Sequence, residues 1–266
     1  MQTSRRPQRA SSSTKVAAKA CVTFPSDMEV VTCLHGFSQH GASWGELSAL
    51  AGDGRRWLTP DLTATTLQGT VDEVLELWDR EGIVRSHLVG YSQGGRVALY
   101  LAGTHPDRLL SLTAISAHAG LEGPARTARL REDLALADRI EREGLDWFAG
   151  YWAAQPLFRG LARRGPDFLE RLDQDRRRNH ARRLAATLRG MGAGATPPFW
   201  DRLAAIHVRT LLLAGAEDER YVAFARRLAR AIPPSRLEIV ADAGHAVHLE
   251  QPEATARLLE HHLSRR

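Results

Sequence analysis

The chain alternates short apolar runs with amphipathic stretches. Val30-Val31-Thr32-Cys33-Leu34 is β-branched and apolar throughout, the pattern of a strand buried on both faces; it ends in His35-Gly36-Phe37-Ser38. Leu50 to Trp57 lead into a second strand ending near Pro60-Asp61. Val71, Val74, Leu75 and Trp78 recur at helical spacing and predict one buried helix face. Ser86 to Tyr91 predicts a third strand, with a helical run directly after it to Leu101, and Leu109 to Ser116 predicts a fourth. Strands alternating with helices in this way predict a mostly parallel sheet with helices on both faces.

The alternation stops between residues 119 and 206. There the periodicity is helical, over Ala128–Arg142, Trp147–Trp152, Asp167–Asp175 and Ala181–Arg189. We read 119–206 as a helical cap inserted into an α/β core made of 21–118 and 207–266. Beyond the cap the rhythm resumes with a strand over Val208–Ala214, a helix over Tyr221–Ile232 stopped by Pro233-Pro234, and a strand over Leu237–Val240. A closing helix follows from Pro252 to about Leu263. Residues 1–20 are rich in Ser, Arg, Gln and Ala without hydrophobic period and read as a disordered extension. Ahead of the first strong strand only a faint strand pattern appears, near Cys21–Phe24. Met28, just before the first strong strand, offers an alternative start, and residues 1–27 are expected to be dispensable. The extension's acid-poor composition resembles a transit peptide but lacks the amphipathic pattern of one.

Composition changes this picture little. A chain of 266 residues, 43% hydrophobic, suits one large domain with an insertion. The net charge of +5 invites a nucleic-acid reading, but Arg5, Arg6, Arg9, Lys15 and Lys19 all fall in the extension, and the remaining basic residues balance the 31 acids. The basicity therefore belongs to the extension, and neither nucleic acid nor membrane insertion is expected. Two cysteines, Cys21 and Cys33, give neither a disulfide framework nor a metal-ligand spacing, and a cytoplasmic setting is the simplest. No phosphate loop or dinucleotide fingerprint appears, so no cofactor or metal is expected. The sequence leaves monomer and homo-oligomer open.

Candidate chemistry centres on Gly90-Tyr91-Ser92-Gln93-Gly94. A glycine-flanked serine between a strand and a helix is the context of a nucleophile elbow. Such a serine needs a histidine to take its proton and a carboxylate to hold the histidine. The acid belongs just past the strand ending at Ala214: Asp218 fits best, with Glu217 and Asp242 as alternatives. His245, in Asp242-Ala243-Gly244-His245 after the last strand, is the histidine expected to reach Ser92. His248 and His35 read as structural. An oxyanion hole needs two fixed backbone N–H groups; Gln93, after the serine, and Phe37, after the first strand, are the expected donors.

These motifs resemble those of the α/β-hydrolases. More narrowly, the chain from Val30 onward is similar to the 2-succinyl-6-hydroxy-2,4-cyclohexadiene-1-carboxylate synthases of menaquinone biosynthesis. The narrower resemblance rests chiefly on Trp152-Ala153-Ala154-Gln155-Pro156-Leu157-Phe158 and on Leu188-Arg189-Gly190-Met191-Gly192 leading to Pro198-Phe199-Trp200. Leu34-His35-Gly36-Phe37 with Trp44, Gly94-Gly95-Arg96, and Gly244-His245 through His248-Leu249-Glu250-Gln251-Pro252 agree with it. One departure stands out: Leu62-Thr63-Ala64-Thr65 occupies the place of the usual Gly-His-Gly after the second strand.

The resemblance implies a lyase in which Ser92 acts as a base, removing a ring proton so that pyruvate is eliminated from a tricarboxylate. A small anionic substrate of that kind needs cations. By resemblance these are Arg96, Arg129 and one of Arg176-Arg177-Arg178, with Arg177 aligning best; Tyr91 and Trp152 would line the pocket. An esterase or carbon–carbon bond hydrolase with the same triad is the alternative, and a non-catalytic binding protein a further one. A neutral ester would leave Arg96 and Arg129 desolvated without a partner.

Overall fold

The computed structural model describes residues 28–52 and 54–265. The expected extension over 1–20 and the faint strand near Cys21–Phe24 lie outside the described residues. Six parallel strands form one sheet: β1 (Val30–Leu34), β2 (Arg56–Leu58), β3 (Ser86–Tyr91), β4 (Leu109–Ile115), β5 (Thr210–Gly215) and β6 (Ser235–Val240), in the order β2-β1-β3-β4-β5-β6. The second strand is shorter than its sequence predicts. Leu50 ends the helix α1 (Gly45–Leu50), and the chain turns through Gly52 at positive φ before three residues pair with β1 at the sheet edge.

Successive residues of β1 serve opposite faces of the sheet, as the two-residue period of a strand requires. On one face Val30, Leu34, Leu88 and Leu112 pack with Val71, Val74 and Trp78 of α2 (Leu67–Arg80) and with Val97 and Leu101 of α3 (Gln93–Thr104). On the other, Val31, Cys33, Val89 and Leu213 pack with Leu47 of α1, Val247 of α8 (Val247–Glu250), and Leu259 and Leu263 of α9 (Pro252–Leu263). The buried Trp78 indole donates to Thr32 Oγ1 at 2.8 Å, and that oxygen lies 2.9 Å from Ser86 Oγ. The polar atoms of this face are thus paired, as burial demands.

Between β4 and β5 the described chain has no strand. Helix α4 (Gly123–Ala153) runs as two arms meeting at Gly144, whose φ of 82° only glycine adopts without strain. The two helices expected over Ala128–Arg142 and Trp147–Trp152 are these arms. α5 (Pro166–Arg177) and α6 (Ala181–Met191) complete the layer, which has a small core of Ala137, Ile140, Phe148, Leu184 and Leu188. α7 (Glu219–Ala231) follows β5. The chain leaves β1 toward β2 on one side and returns to β3 on the other. The carboxyl ends of β1 and β3 therefore flank a topological switch point, where open α/β sheets place their crevice.

Candidate active site

Ser92 follows β3 at that switch point, with φ 51° and ψ −107°. The flanking glycines permit this turn by close approach: a Cβ on Gly90 would stand 2.4 Å from the Gly94 carbonyl oxygen, and one on Gly94 would stand 2.1 Å from that of Leu34. The Ser92 N–H donates to Ile115 O at 2.9 Å, fixing the elbow to the neighbouring strand. The side chain thus stands at the N-terminus of α3, where the helix dipole favours negative charge.

The histidine loop is laid over the end of β5. A Cβ on Gly215 would lie 2.0 Å from Gly244 O, so only glycine lets that loop pass. Glu217 N–H donates to Ala243 O at 2.9 Å and clips the acid loop to the histidine loop. His245 Nδ1 then lies 2.8 Å from Asp218 Oδ2, and His245 Nε2 lies 3.0 Å from Ser92 Oγ. A carboxylate can only accept, so Nδ1 carries the proton and Nε2 is free to accept from the serine. Asp218 is also the N-cap of α7, its Oδ1 accepting from Tyr221 N–H at 3.2 Å. Glu217 pairs instead with Arg163, and Asp242 presents its carbonyl to the same arginine. Of the three carboxylates considered, Asp218 alone bonds His245 among the described residues.

Phe37 and Gln93 both line the cavity above Ser92, and neither backbone N–H has an acceptor among the described residues. The cavity lies between elbow and cap. Tyr91 sits in its floor with its ring centroid 5.4 Å from that of His245, while Trp152 packs edge-on to Phe37 at 5.3 Å. Arg96 and Arg129 line it as well. Arg129 Nε donates to the buried Asp133 at 2.6 Å; burial works against its charge, but this pairing prevails and raises its pKa. Arg96 is buried, donates from Nη2 to Met191 O at 2.7 Å, and leaves Nε without a partner among the described residues. Burial pulls its pKa down.

Arg177 does not reach the cavity. It is exposed and bonds Asp173 at 2.6 Å and Asp146 on the outside of the cap. Arg176 points inward instead: it is buried, lines the cavity, and among the described residues has only Asp173, at 3.9 Å, as a salt-bridge partner. Consecutive helix residues point about 100° apart, so the alignment picks the right turn of α5 and the wrong face.

Sequence reasoning also missed Tyr221, whose ring lies 4.3 Å from that of His245 and which lines the cavity. Its place three residues after Asp218, on the first turn of α7, was the available signal. His35 donates from Nδ1 to Gly36 O at 2.9 Å and accepts from Leu62 N–H at 3.0 Å. It thereby braces the loop that stands where Gly-His-Gly is usual, a loop also tied to Glu73 by the N–H groups of Thr63 and Ala64. His248 is stacked on Trp44 at 4.5 Å, and neither of its ring nitrogens has a partner among the described residues. Burial holds its pKa down at about 3.

Among the described residues no group of three His, Cys, Asp or Glu side chains could hold a metal ion, and no helix is long and apolar enough to cross a membrane.

The chain matches the alpha/beta hydrolase family over residues 33–258. It is 36% identical over 252 residues to a Bacillus subtilis (strain 168) protein named for 2-succinyl-6-hydroxy-2,4-cyclohexadiene-1-carboxylate synthase, covering 90% of this chain and 92% of that one. The synthase of that name from Enterobacter sp. (strain 638) is 31% identical over 236 residues, covering 85% and 88%. MenH from S. aureus superposes with a TM-score of 0.84 at 28% identity over 88% of this chain and 93% of that one. A thermophilic esterase from Thermogutta terrifontis gives 0.79 at 26% identity, over 88% and 89%. The chain is therefore an enzyme of the α/β-hydrolase fold and belongs to the 2-succinyl-6-hydroxy-2,4-cyclohexadiene-1-carboxylate synthase branch of that family.

Proposed function

We propose that the protein eliminates pyruvate from 2-succinyl-5-enolpyruvyl-6-hydroxy-3-cyclohexene-1-carboxylate, giving 2-succinyl-6-hydroxy-2,4-cyclohexadiene-1-carboxylate. The observation that carries this reading is Arg96. A guanidinium buried beside the serine, with only a carbonyl partner among the described residues, is costly unless an anion completes it. Arg176 and Arg129, the latter paired with Asp133, also line the cavity, which supports a substrate with several carboxylates.

Ser92, His245 and Asp218 form the triad, with serine as the base. Ser92 Oγ passes its proton to His245 Nε2 and takes the ring proton next to the succinyl carbonyl. The electron pair from that C–H bond moves onto the carbonyl oxygen, where the N–H groups of Phe37 and Gln93 receive the charge. As the enolate collapses, the ring double bond shifts and the carbon–oxygen bond to the enolpyruvyl group breaks. The leaving group departs as the enol of pyruvate, taking up the proton held by the serine–histidine pair. Asp218 keeps the imidazole in the tautomer that accepts at Nε2 and stabilises it once charged. Aromatic walls at Tyr91 and Trp152 exclude water and strengthen each of these contacts.

The same triad can hydrolyse an ester, and the structural likeness to an esterase keeps that chemistry in view. One comparison decides: pyruvate release from the enolpyruvyl substrate, followed by a coupled dehydrogenase, against turnover of a small nitrophenyl ester. We expect the first to exceed the second by at least a hundredfold in kcat/KM, on the order of 3 kcal/mol of transition-state binding. Ester turnover without pyruvate release would assign the site to hydrolysis.

A further inference from the structure

We infer that Glu250 is a positioning residue for His245, and that the cap holds Glu250 in place through Gly160 and Arg163. The inference rests on Ser92 and His245 being the working pair.

Glu250 ends α8, and its side chain is fully buried. One oxygen accepts from Gly244 N–H at 2.8 Å and the other from Ala246 N–H at 3.0 Å. These N–H groups belong to the residues on either side of His245, so a single carboxylate grips the main chain before and after the histidine.

A carboxylate buried this deeply needs a countercharge. It comes from the cap: Arg163, in the 3-10 segment Pro156–Arg164, donates from Nη2 to Glu250 at 3.2 Å. The same nitrogen donates to the Asp242 carbonyl at 2.9 Å, and the guanidinium also bonds Glu217, the neighbour of Asp218. Arg163 therefore joins the histidine loop and the acid loop to the cap at one point. The approach is close by construction, because a Cβ on Gly160 would stand 1.7 Å from Glu250 Oε2. Phe158, whose ring lies 6.2 Å from that of His245, is on the same segment. Seating this part of the cap and setting the histidine are thus one event. Arg163 is half exposed, and a surface bridge to Glu217 alone would contribute little; the contact with Glu250 is the consequential one.

The test uses Glu250→Gln, Arg163→Ala and Arg163→Lys in the full chain. The glutamine puts an NH2 group against one of the two peptide N–H groups, so that one loses its acceptor. A catalytic group displaced by about 1 Å costs on the order of a hundredfold in rate. We expect Glu250→Gln to lower kcat by about tenfold to a hundredfold and Arg163→Ala by about fivefold, each with KM within about twofold. The double variant should lose less than the product, as coupled residues do, and Arg163→Lys should recover part of the loss. Rates are read on whichever substrate the wild type turns over. A second readout needs no turnover: the downfield proton resonance of His245 Nδ1–H on Asp218, assigned by its loss in His245→Ala. It should move or broaden in both Glu250→Gln and Arg163→Ala. If Glu250→Gln does not fold, Arg163→Ala decides by both readouts. An unmoved resonance with kcat within twofold overturns the inference, and so does a change confined to KM. An active Ser92→Ala would instead refute the reading of the site, leaving the resonance to judge the positioning alone.

Discussion

Arg96 donates to the Met191 carbonyl at 2.7 Å, yet no carboxylate is within salt-bridge distance of it among the described residues. That carbonyl also accepts from Thr196 Oγ1 at 3.2 Å, so it would keep a partner if Arg96 were replaced. The Met191 carbonyl thus has two donors, and the arginine's charge has no carboxylate beside it among the described residues.

Arg96→Met should separate stability from function. Replacing a buried charge with an apolar chain of similar volume is often neutral or stabilising by 1–4 kcal/mol. We expect the ligand-free variant to melt no lower than wild type. A charge-assisted hydrogen bond is worth about 1.5–3 kcal/mol, so pyruvate release should fall by roughly tenfold to a hundredfold while a neutral ester is spared. A large drop in melting temperature would show that the guanidinium is structural.

Neighbouring arginines should differ sharply. Arg176→Ala removes a cation lining the cavity, and we expect kcat/KM for the tricarboxylate to fall by about tenfold or more. Arg177→Ala removes an exposed bridge to Asp146 and Asp173, which contributes little to stability. Its kinetics should stay within twofold. Steady-state assays of the pair would reveal a reversed order at once.

Ser92→Ala should abolish turnover, with the melting temperature nearly unchanged. Ser92→Gly should be equally inactive but more stable. Its backbone, at φ 51°, carries strain on the order of 1–3 kcal/mol, partly offset by about 0.5–1 kcal/mol of glycine entropy. Urea unfolding of the two variants reads the difference, and an equal midpoint would limit the strain to the glycine entropy that offsets it, about 0.5–1 kcal/mol.

His248 predicts a pH dependence of stability. Its folded pKa is depressed to about 3, below the unfolded value of 6.5. The unfolded chain therefore binds the proton first as pH falls. This contribution is complete above about pH 6.5 and is lost progressively down to about pH 3. Because the ring has no hydrogen-bond partner and is stacked on Trp44, His248→Phe is a tolerable replacement. Between pH 7.5 and 5 the wild type should lose about 2 kcal/mol more stability than the variant. Equal slopes for the two proteins would remove His248 as the titrating group.

What the sequence made legible follows chain-local physics. The β-branched run at Val30–Leu34 and the glycines around Ser92 each specify their own conformation, so the strand and the elbow could be read directly. Asp218 and His245 were placed by strand order, a rule of topology that needs no distances, and the structure joins them in one hydrogen-bonded row with Ser92. Arg176 was missed because facing depends on how α5 packs on the core, which a run of three arginines does not encode. Glu250 reads as an ordinary helix-end acid until the loop before it folds back, and Tyr221 as one position of an amphipathic helix. Side chains that act across the interface of cap and core are the ones a single sequence hides.

Gly144 bends α4 between two arms that carry different parts of the cavity wall. Arg129 lies on the arm before the bend and Trp152 on the arm after it. A cation and an aromatic plate are therefore mounted on one rod with a single joint. Nothing lies within 4 Å of where a Cβ would sit at that joint, so its geometry is dictated by backbone torsion and not by crowding. The distance from charge to ring thus turns on the bend at one residue, whose φ of 82° only glycine adopts without strain.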